Sequence, residues 1–306
     1  MEKKELTIMS KCDGLPLSVT IVEPSMKIKG VVQIAHGMAE HKERYYPFMD
    51  YLAYNGYVAV IHDHRGHGKS IKSEEDLGYF YDEKAEYLVS DLYEVTKYIK
   101  KKYKKEKLTL FGHSMGSLIV RKYVKTHDDE IDKLVVCGSP SKRAFMDIPI
   151  LITKIIKKFK GDRYRSEFLQ KLVFGKYNEK IKEPISENSW ICQNEETVKE
   201  YDNDELCGFT FTTNGFLNLF TLMKEVYSKK GWQLKNKELK IYFVAGSRDP
   251  VIISKEKWYK SIGFMYSLGY KNIIYKLFYR LRHEILNEEE NLVIFTDILR
   301  FIDDKK

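Results

Sequence analysis

The sequence is short of the features that would set it apart from ordinary globular proteins. No apolar run in its 306 residues approaches the ~18 needed to cross a bilayer, so no membrane span is expected. Cysteine is scarce: Cys12, Cys137, Cys192 and Cys207 fall at no metal-like spacing and are too few for a disulfide framework. The opening stretch, MEKKELTIMS, carries charge but lacks the apolar core of a secretory signal. There is no internal repeat and no low-complexity tract. Collagen, intrinsic disorder and a disulfide-stapled mini-protein are thereby excluded, and a reducing, cytoplasmic setting is the expectation.

What is present suits a folded α/β chain. Hydrophobic residues make up 43% and charged residues 31%, and 16 Phe, 22 Tyr and 3 Trp can fill a sizeable core. At ~150 residues per domain the length admits one large domain or two modest ones. The net charge of +8 is concentrated: between Lys142 and Lys182 stand twelve Lys or Arg against four acids. A solvated, lysine-rich helix face is the plain reading of that stretch. Nucleic-acid contact predicts steep salt dependence, and no nucleic-acid partner is expected. Transient membrane-surface contact is the other reading, because Ile150, Leu151, Ile155, Ile156 and Phe159 alternate with Lys154, Lys157, Lys158 and Lys160.

Apolar runs alternate with helical patterns along most of the chain, the mark of an α/β sheet protein. Leu6–Met9 and Leu17–Ile21 flank Asp13-Gly14 and predict a hairpin. Buried strands are predicted at Val31–Ala35, Tyr57–His62, Leu108–Phe111, Leu134–Cys137, Ile241–Ala245 and Ile274–Phe278. Helices are predicted at Arg44–Asn55, Ala85–Tyr103, Ser117–Lys125, Glu256–Leu268 and Glu288–Ile302, the last with Asn287 as N-cap. The alternation stops from Ser141 to Lys229, a stretch of helices and loops too long for an ordinary connection. Residues 1–140 and 230–306 are therefore expected to form the core domain, with 141–229 a helical cap over the carboxyl edge of the sheet.

Gly112-His113-Ser114-Met115-Gly116 lies between a predicted strand and a predicted helix. In that context a G-x-S-x-G is the sharp turn that lifts a serine off the sheet edge, at the positive end of the following helix. A serine hydroxyl needs a base, and the base an orienting group. In the α/β-hydrolase arrangement, where this turn is found, the chain order is serine, then acid, then histidine. His283 is the only histidine after His127, and Asp249 follows a predicted strand where it can reach His283 Nδ1. The oxyanion hole is expected from backbone N–H groups: Met115, next to the serine, and Met38, in the loop after the third strand that begins His36-Gly37-Met38.

With these pieces the sequence resembles the monoacylglycerol lipase and lysophospholipase branch of the α/β-hydrolases. The resemblance rests on His36-Gly37-Met38-Ala39-Glu40-His41 with Arg44-Tyr45, and on Asp63-His64-Arg65-Gly66-His67-Gly68-Lys69-Ser70. Gly112–Ser117, Gly246-Ser247-Arg248-Asp249-Pro250-Val251 and Arg282-His283-Glu284 complete it. It implies a mostly parallel sheet flanked by helices, no cofactor, and carboxylic ester hydrolysis through an acyl-enzyme. Ser114, Asp249 and His283 would be the triad, with Met38 and Met115 as oxyanion donors. Met38 stands where relatives often carry a smaller residue, which implies a narrower acyl pocket. A monoacylglycerol or lysophospholipid is the substrate so implied. Short-chain carboxylesters and aminopeptidase-like amide hydrolysis use the same machinery, and a non-catalytic binding module with a basic cap is the reading from another class.

The remaining histidines receive structural readings. His62-Asp63-His64-Arg65-Gly66-His67 looks like a metallo-hydrolase ligand loop, but Gly66 stands where the ligand aspartate would be, and no metal is expected. Asp63 and Arg65 are expected to pair. His113 is expected to be packed or hydrogen-bonded behind the site, His41 to brace the oxyanion loop, and His127 to end a helix.

Overall fold

The computed structural model describes residues 1–81 and 85–305. Eight strands form one sheet: β1 (Glu2–Met9), β2 (Pro16–Glu23), β3 (Gly30–Ala35), β4 (Tyr57–His62), β5 (Leu108–His113), β6 (Lys133–Cys137), β7 (Lys240–Gly246) and β8 (Ile273–Phe278). Their spatial order is β1-β2-β4-β3-β5-β6-β7-β8. The β1–β2 hairpin and the β2–β4 pair are antiparallel, and every pairing from β4 to β8 is parallel. Every residue of β3, β4, β5 and β6 is buried. Helices cover both faces, so these strands read as continuous apolar runs rather than alternating ones.

One face packs against α1 (Tyr46–Tyr54) and α9 (Asn291–Ile302), where Phe48 contacts both Phe111 and Phe295. The other packs against α2 (Glu86–Lys102), α3 (Met115–His127) and α8 (Lys255–Leu268), with Leu92, Val120 and Trp258 in its core. Parallel pairing brings the carboxyl ends of the strands to one edge: Ala35 pairs with Gly112, His113 with Cys137, and Gly246 with Phe278.

Between β6 and β7, which pair directly, the chain leaves the sheet for four helices: α4 (Asp147–Lys160), α5 (Glu167–Phe174), α6 (Glu195–Asn203) and α7 (Thr213–Glu225). Helix α7 is almost wholly buried and packs against α4 and α3. Ser166, Asn194 and Thr212 cap α5, α6 and α7 with their side-chain oxygens. No helix among the described residues is long and apolar enough to cross a membrane.

Three local expectations are corrected. The helix expected from Arg44 starts at Tyr46, because Lys42–Tyr45 forms a separate 3-10 turn. The last helix starts at Asn291, preceded by Glu290 rather than capped by Asn287. Asn287 Nδ2 instead donates to Glu284, and Glu288 accepts the N–H groups of Arg282 and Gln193, so neither side chain caps the helix. Asp63 and Arg65 do not pair. Asp63 accepts the Lys42 and Lys69 N–H groups, while Arg65 reaches Asp91 at 2.7 Å and Asp13 at 3.0 Å.

Candidate active site

The turn between β5 and α3 is built for close approach. A Cβ on Gly116 would lie 2.1 Å from the Ala35 carbonyl and 2.4 Å from that of His36, so only glycine lets α3 start against β3. Ser114 itself has φ 52° and ψ −118°, a left-handed conformation that strains a side-chain-bearing residue and concentrates at functional sites. Its N–H donates to the Cys137 carbonyl at the end of β6, which locks the turn in place.

Beyond β7, Asp249 accepts the Val251 N–H at 2.8 Å, and its other carboxylate oxygen lies 2.9 Å from His283 Nδ1. Asp249 and His283 are both buried. The carboxylate fixes the tautomer that carries the proton on Nδ1 and leaves Nε2 as an acceptor. Among the described residues His283 Nε2 has no hydrogen-bond partner. A cavity of about 1000 Å³ is lined by Ser114, His283, Met38 and Met115 together. Asp249 stands behind His283, outside the lining. Ser114 and His283 thus line one cavity without a direct bond between them.

The loop after β3 carries Met38 half-buried in that wall. The amides on either side are engaged, Gly37 N–H by Glu40 and Ala39 N–H by His67 Nε2 at 3.3 Å. A Cβ at Gly37 would meet Glu40 Oε1 at 2.5 Å and Ser114 Cβ at 3.2 Å, so this loop needs glycine beside the serine. The loop is also tied to the inserted helices: Ala39 O accepts the Tyr201 hydroxyl and the Gly208 N–H, and His41 Nε2 lies 2.8 Å from Asp204. Cys207 lies beside that pair. Among the described residues these three are the one group whose donor atoms come close enough to share an ion. No imidazole of residues 62–67 belongs to it. His36, His62 and His64 are buried, and burial drives their pKa values down, so they pack as neutral rings.

Sequence reasoning did not find the charged network beneath the site. Arg44 grips Glu284 with two hydrogen bonds of 2.7 Å and reaches Glu40 at 2.9 Å. Glu40 also accepts the Tyr45 hydroxyl at 2.8 Å, and Tyr45 lies 2.9 Å from His113 Nδ1. With Tyr45 donating to Glu40, His113 donates from Nδ1 to Tyr45 and from Nε2 to the His283 carbonyl at 3.2 Å, which is the cationic form. Its pKa is raised accordingly: burial opposes the charge and the Glu40 carboxylate outweighs it. The only sequence signal was the four-residue spacing of Glu40 and Arg44, since Glu284 lies 240 residues from Arg44.

The serine aminopeptidase S33 family model, Hydrolase_4, matches residues 26–290. The chain is 25% identical over 160 residues to a probable lysophospholipase L2 of Haemophilus influenzae, covering 51% of this chain and 48% of that protein. It is 29% identical over 116 residues to a monoglyceride lipase of Rattus norvegicus, covering 38% and 37%. The chain therefore spans about half the length, or less, of these curated relatives. A thermostable carboxyl esterase from Bacillus coagulans, solved with glycerol, superposes with a TM-score of 0.89 at 25% identity, covering 99% of both chains.

Proposed function

The chain belongs to the Hydrolase_4 (serine aminopeptidase, S33) family of α/β-hydrolases, and from that premise we propose that it cleaves carboxylic esters of monoacyl lipids through an acyl-enzyme on Ser114. The observation that carries this reading is the state of His283: Nδ1 is held by Asp249, Nε2 is buried and unpaired, and the residue lines the same cavity as Ser114. In the reaction Ser114 Oγ attacks the acyl carbonyl as His283 Nε2 takes its proton, a bond that tightens once substrate is docked. The N–H groups of Met38 and Met115 hold the oxyanion, and Asp249 stabilises the imidazolium. His283 then protonates the leaving alcohol, and the same ring activates water to release the acid.

Residues 141–229 are the proposed cap over a core of residues 1–140 and 230–306. Helices α4, α5 and α7 supply Ile148, Ile152, Leu172, Leu219 and Phe220 to the cavity lining, a surface that suits an acyl chain better than a peptide. The test is fluorophosphonate labelling with peptide mapping, followed by ester and aminoacyl-arylamide panels. The expected result is a tag on Ser114, lost in His283→Ala, with ester turnover rising with chain length. Preferred arylamide cleavage would make the activity a peptidase one. Failure of the folded protein to label would favour the non-catalytic module.

The cap also supports transient contact with a membrane surface. Only Thr153 of α4 is buried, and beside it Phe145 (79% exposed), Leu151 (60%) and Phe159 (77%) face outward next to Lys154, Lys158 and Lys160. Ile148, also exposed, lines the cavity, so the apolar face of α4 continues into the cavity lining. Apolar area plus cations binds anionic interfaces. Co-sedimentation with phosphatidylglycerol vesicles is expected at low salt, fading as salt rises and weakened in Leu151→Ser/Phe159→Ser. No binding at low salt would remove this reading.

A further inference from the structure

The lining of the cavity at Ser114 is mixed. Ile148, Ile152, Leu219, Phe220 and Met223 make part of it apolar. Another part leads away from His283 through aromatic rings. Trp190 lies 5.1 Å from the His283 ring, and Tyr177 meets Trp190 edge-on at 4.9 Å. At the end of this ladder Arg143 Nη2 donates to the Tyr177 hydroxyl at 3.2 Å. The leaving oxygen takes its proton from His283 Nε2, so the histidine side is where the alcohol portion of an ester must lie. The ladder of Trp190 and Tyr177 therefore leads from the leaving oxygen's side of the site to Arg143 in the cavity lining.

Three features suit Arg143 to an anionic ligand. The chain just before it is anchored: Ser141 Oγ donates to the Ile252 carbonyl at 2.7 Å, and the Tyr227 hydroxyl to the Pro140 carbonyl at 2.7 Å. Among the described residues no carboxylate lies within ion-pair distance of its guanidinium, and the Tyr177 hydroxyl is its one hydrogen-bond acceptor. Of the four carboxylates in the cavity lining, Glu40 and Glu284 are already neutralised by Arg44, and Glu167 and Glu187 are exposed. Beside Tyr177, Asn178 donates to the carbonyls of Ser186 and Glu187, while its Oδ1 is buried without a partner. A half-buried guanidinium with unused donors matches a phosphate.

We propose that Arg143 determines specificity for the alcohol portion of the substrate and selects monoacyl glycerophosphates over neutral monoacylglycerols. The proposal rests on ester hydrolysis at Ser114. Short acyl chains keep the test in free solution, away from any effect of Arg143 on vesicle binding. The full chain and Arg143→Gln are compared on butanoyl glycerol 3-phosphate and on monobutyrin. The variant is expected to lose about 10- to 100-fold in kcat/KM on the phosphate ester, mostly through KM, and less than about threefold on monobutyrin, with Arg143→Lys recovering part of the loss. In the unmodified chain, glycerol 3-phosphate is expected to slow fluorophosphonate labelling of Ser114 while glycerol does not, a readout that needs no variant to fold. Equal losses on both esters, or no protection by glycerol 3-phosphate, would overturn the assignment while leaving ester hydrolysis in place. Turnover of neither ester by a chain that does not label would remove both.

Discussion

Ser114→Ala is expected to lower ester turnover by a factor on the order of 10⁶, with His283→Ala falling as far and the double variant no further. In the proposed mechanism the three groups act as one device. Without the hydroxyl nothing accepts the acyl group, and without the imidazole the hydroxyl is not activated. Asp249→Asn is expected to cost about 10⁴, since an amide nitrogen facing His283 Nδ1, 2.9 Å away, favours the tautomer that puts the proton on Nε2. Residual activity of about 10³ over water would persist from the oxyanion donors, which are backbone N–H groups that these substitutions leave untouched. Ser114→Gly separates chemistry from folding. The serine holds φ 52°, which costs a side-chain-bearing residue about 1–3 kcal/mol, so glycine is expected to stabilise the protein while abolishing turnover. Steady-state kinetics paired with denaturant melts read both quantities. Turnover in Ser114→Ala near that of the unmodified chain would sink the mechanism.

Much of this arrangement is legible in the sequence because it is local. Each strand of the parallel core is a short apolar run, and Ser114, Asp249 and His283 each follow a strand whose carboxyl end lies at one sheet edge. The parallel topology converts three distant positions into one site. Readings that depended on which side chains pair did less well. Asp63 and Arg65 looked like a pair because they are two residues apart, yet each is taken by other residues, Lys42 and Lys69 for one and Asp91 and Asp13 for the other. Asn287 had the right residue type for an N-cap, but Glu284 holds its side chain. The apolar lysine-rich run did form a helix, α4, because its apolar positions recur at three- and four-residue steps. Its neighbours α5 and α6 are short and held by caps and tertiary contacts, which periodicity does not register.

Arg44→Met is expected to destabilise the protein by about 3–5 kcal/mol. The guanidinium fork serves Glu284 through both terminal nitrogens and Glu40 through one of them, and both carboxylates are nearly inaccessible to water. Removing the cation strands two buried anions, and the neutral methionine offers them no donor. Acid titration of the melting temperature distinguishes this from lost packing. Burial tends to raise the Glu40 pKa, but His113, Arg44 and Tyr45 hold it down to about 2 from an ordinary 4.5. A carboxyl depressed in the folded state contributes stability that is fully present above its unfolded value and is lost as pH falls from about 4.5 towards 2. In Arg44→Met the Glu40 pKa rises towards its ordinary 4.5, so its contribution at neutral pH shrinks and the loss of stability between about pH 4.5 and 2 becomes smaller. Arg44→Lys, which keeps the charge but not the fork, should fall between the two. Turnover should fall with stability, because Glu40 holds the Gly37 amide of the oxyanion loop and Glu284 is the residue after His283. An Arg44→Met protein as stable as the unmodified chain across this pH range would show that the network neither supports the fold nor sets the histidine loop.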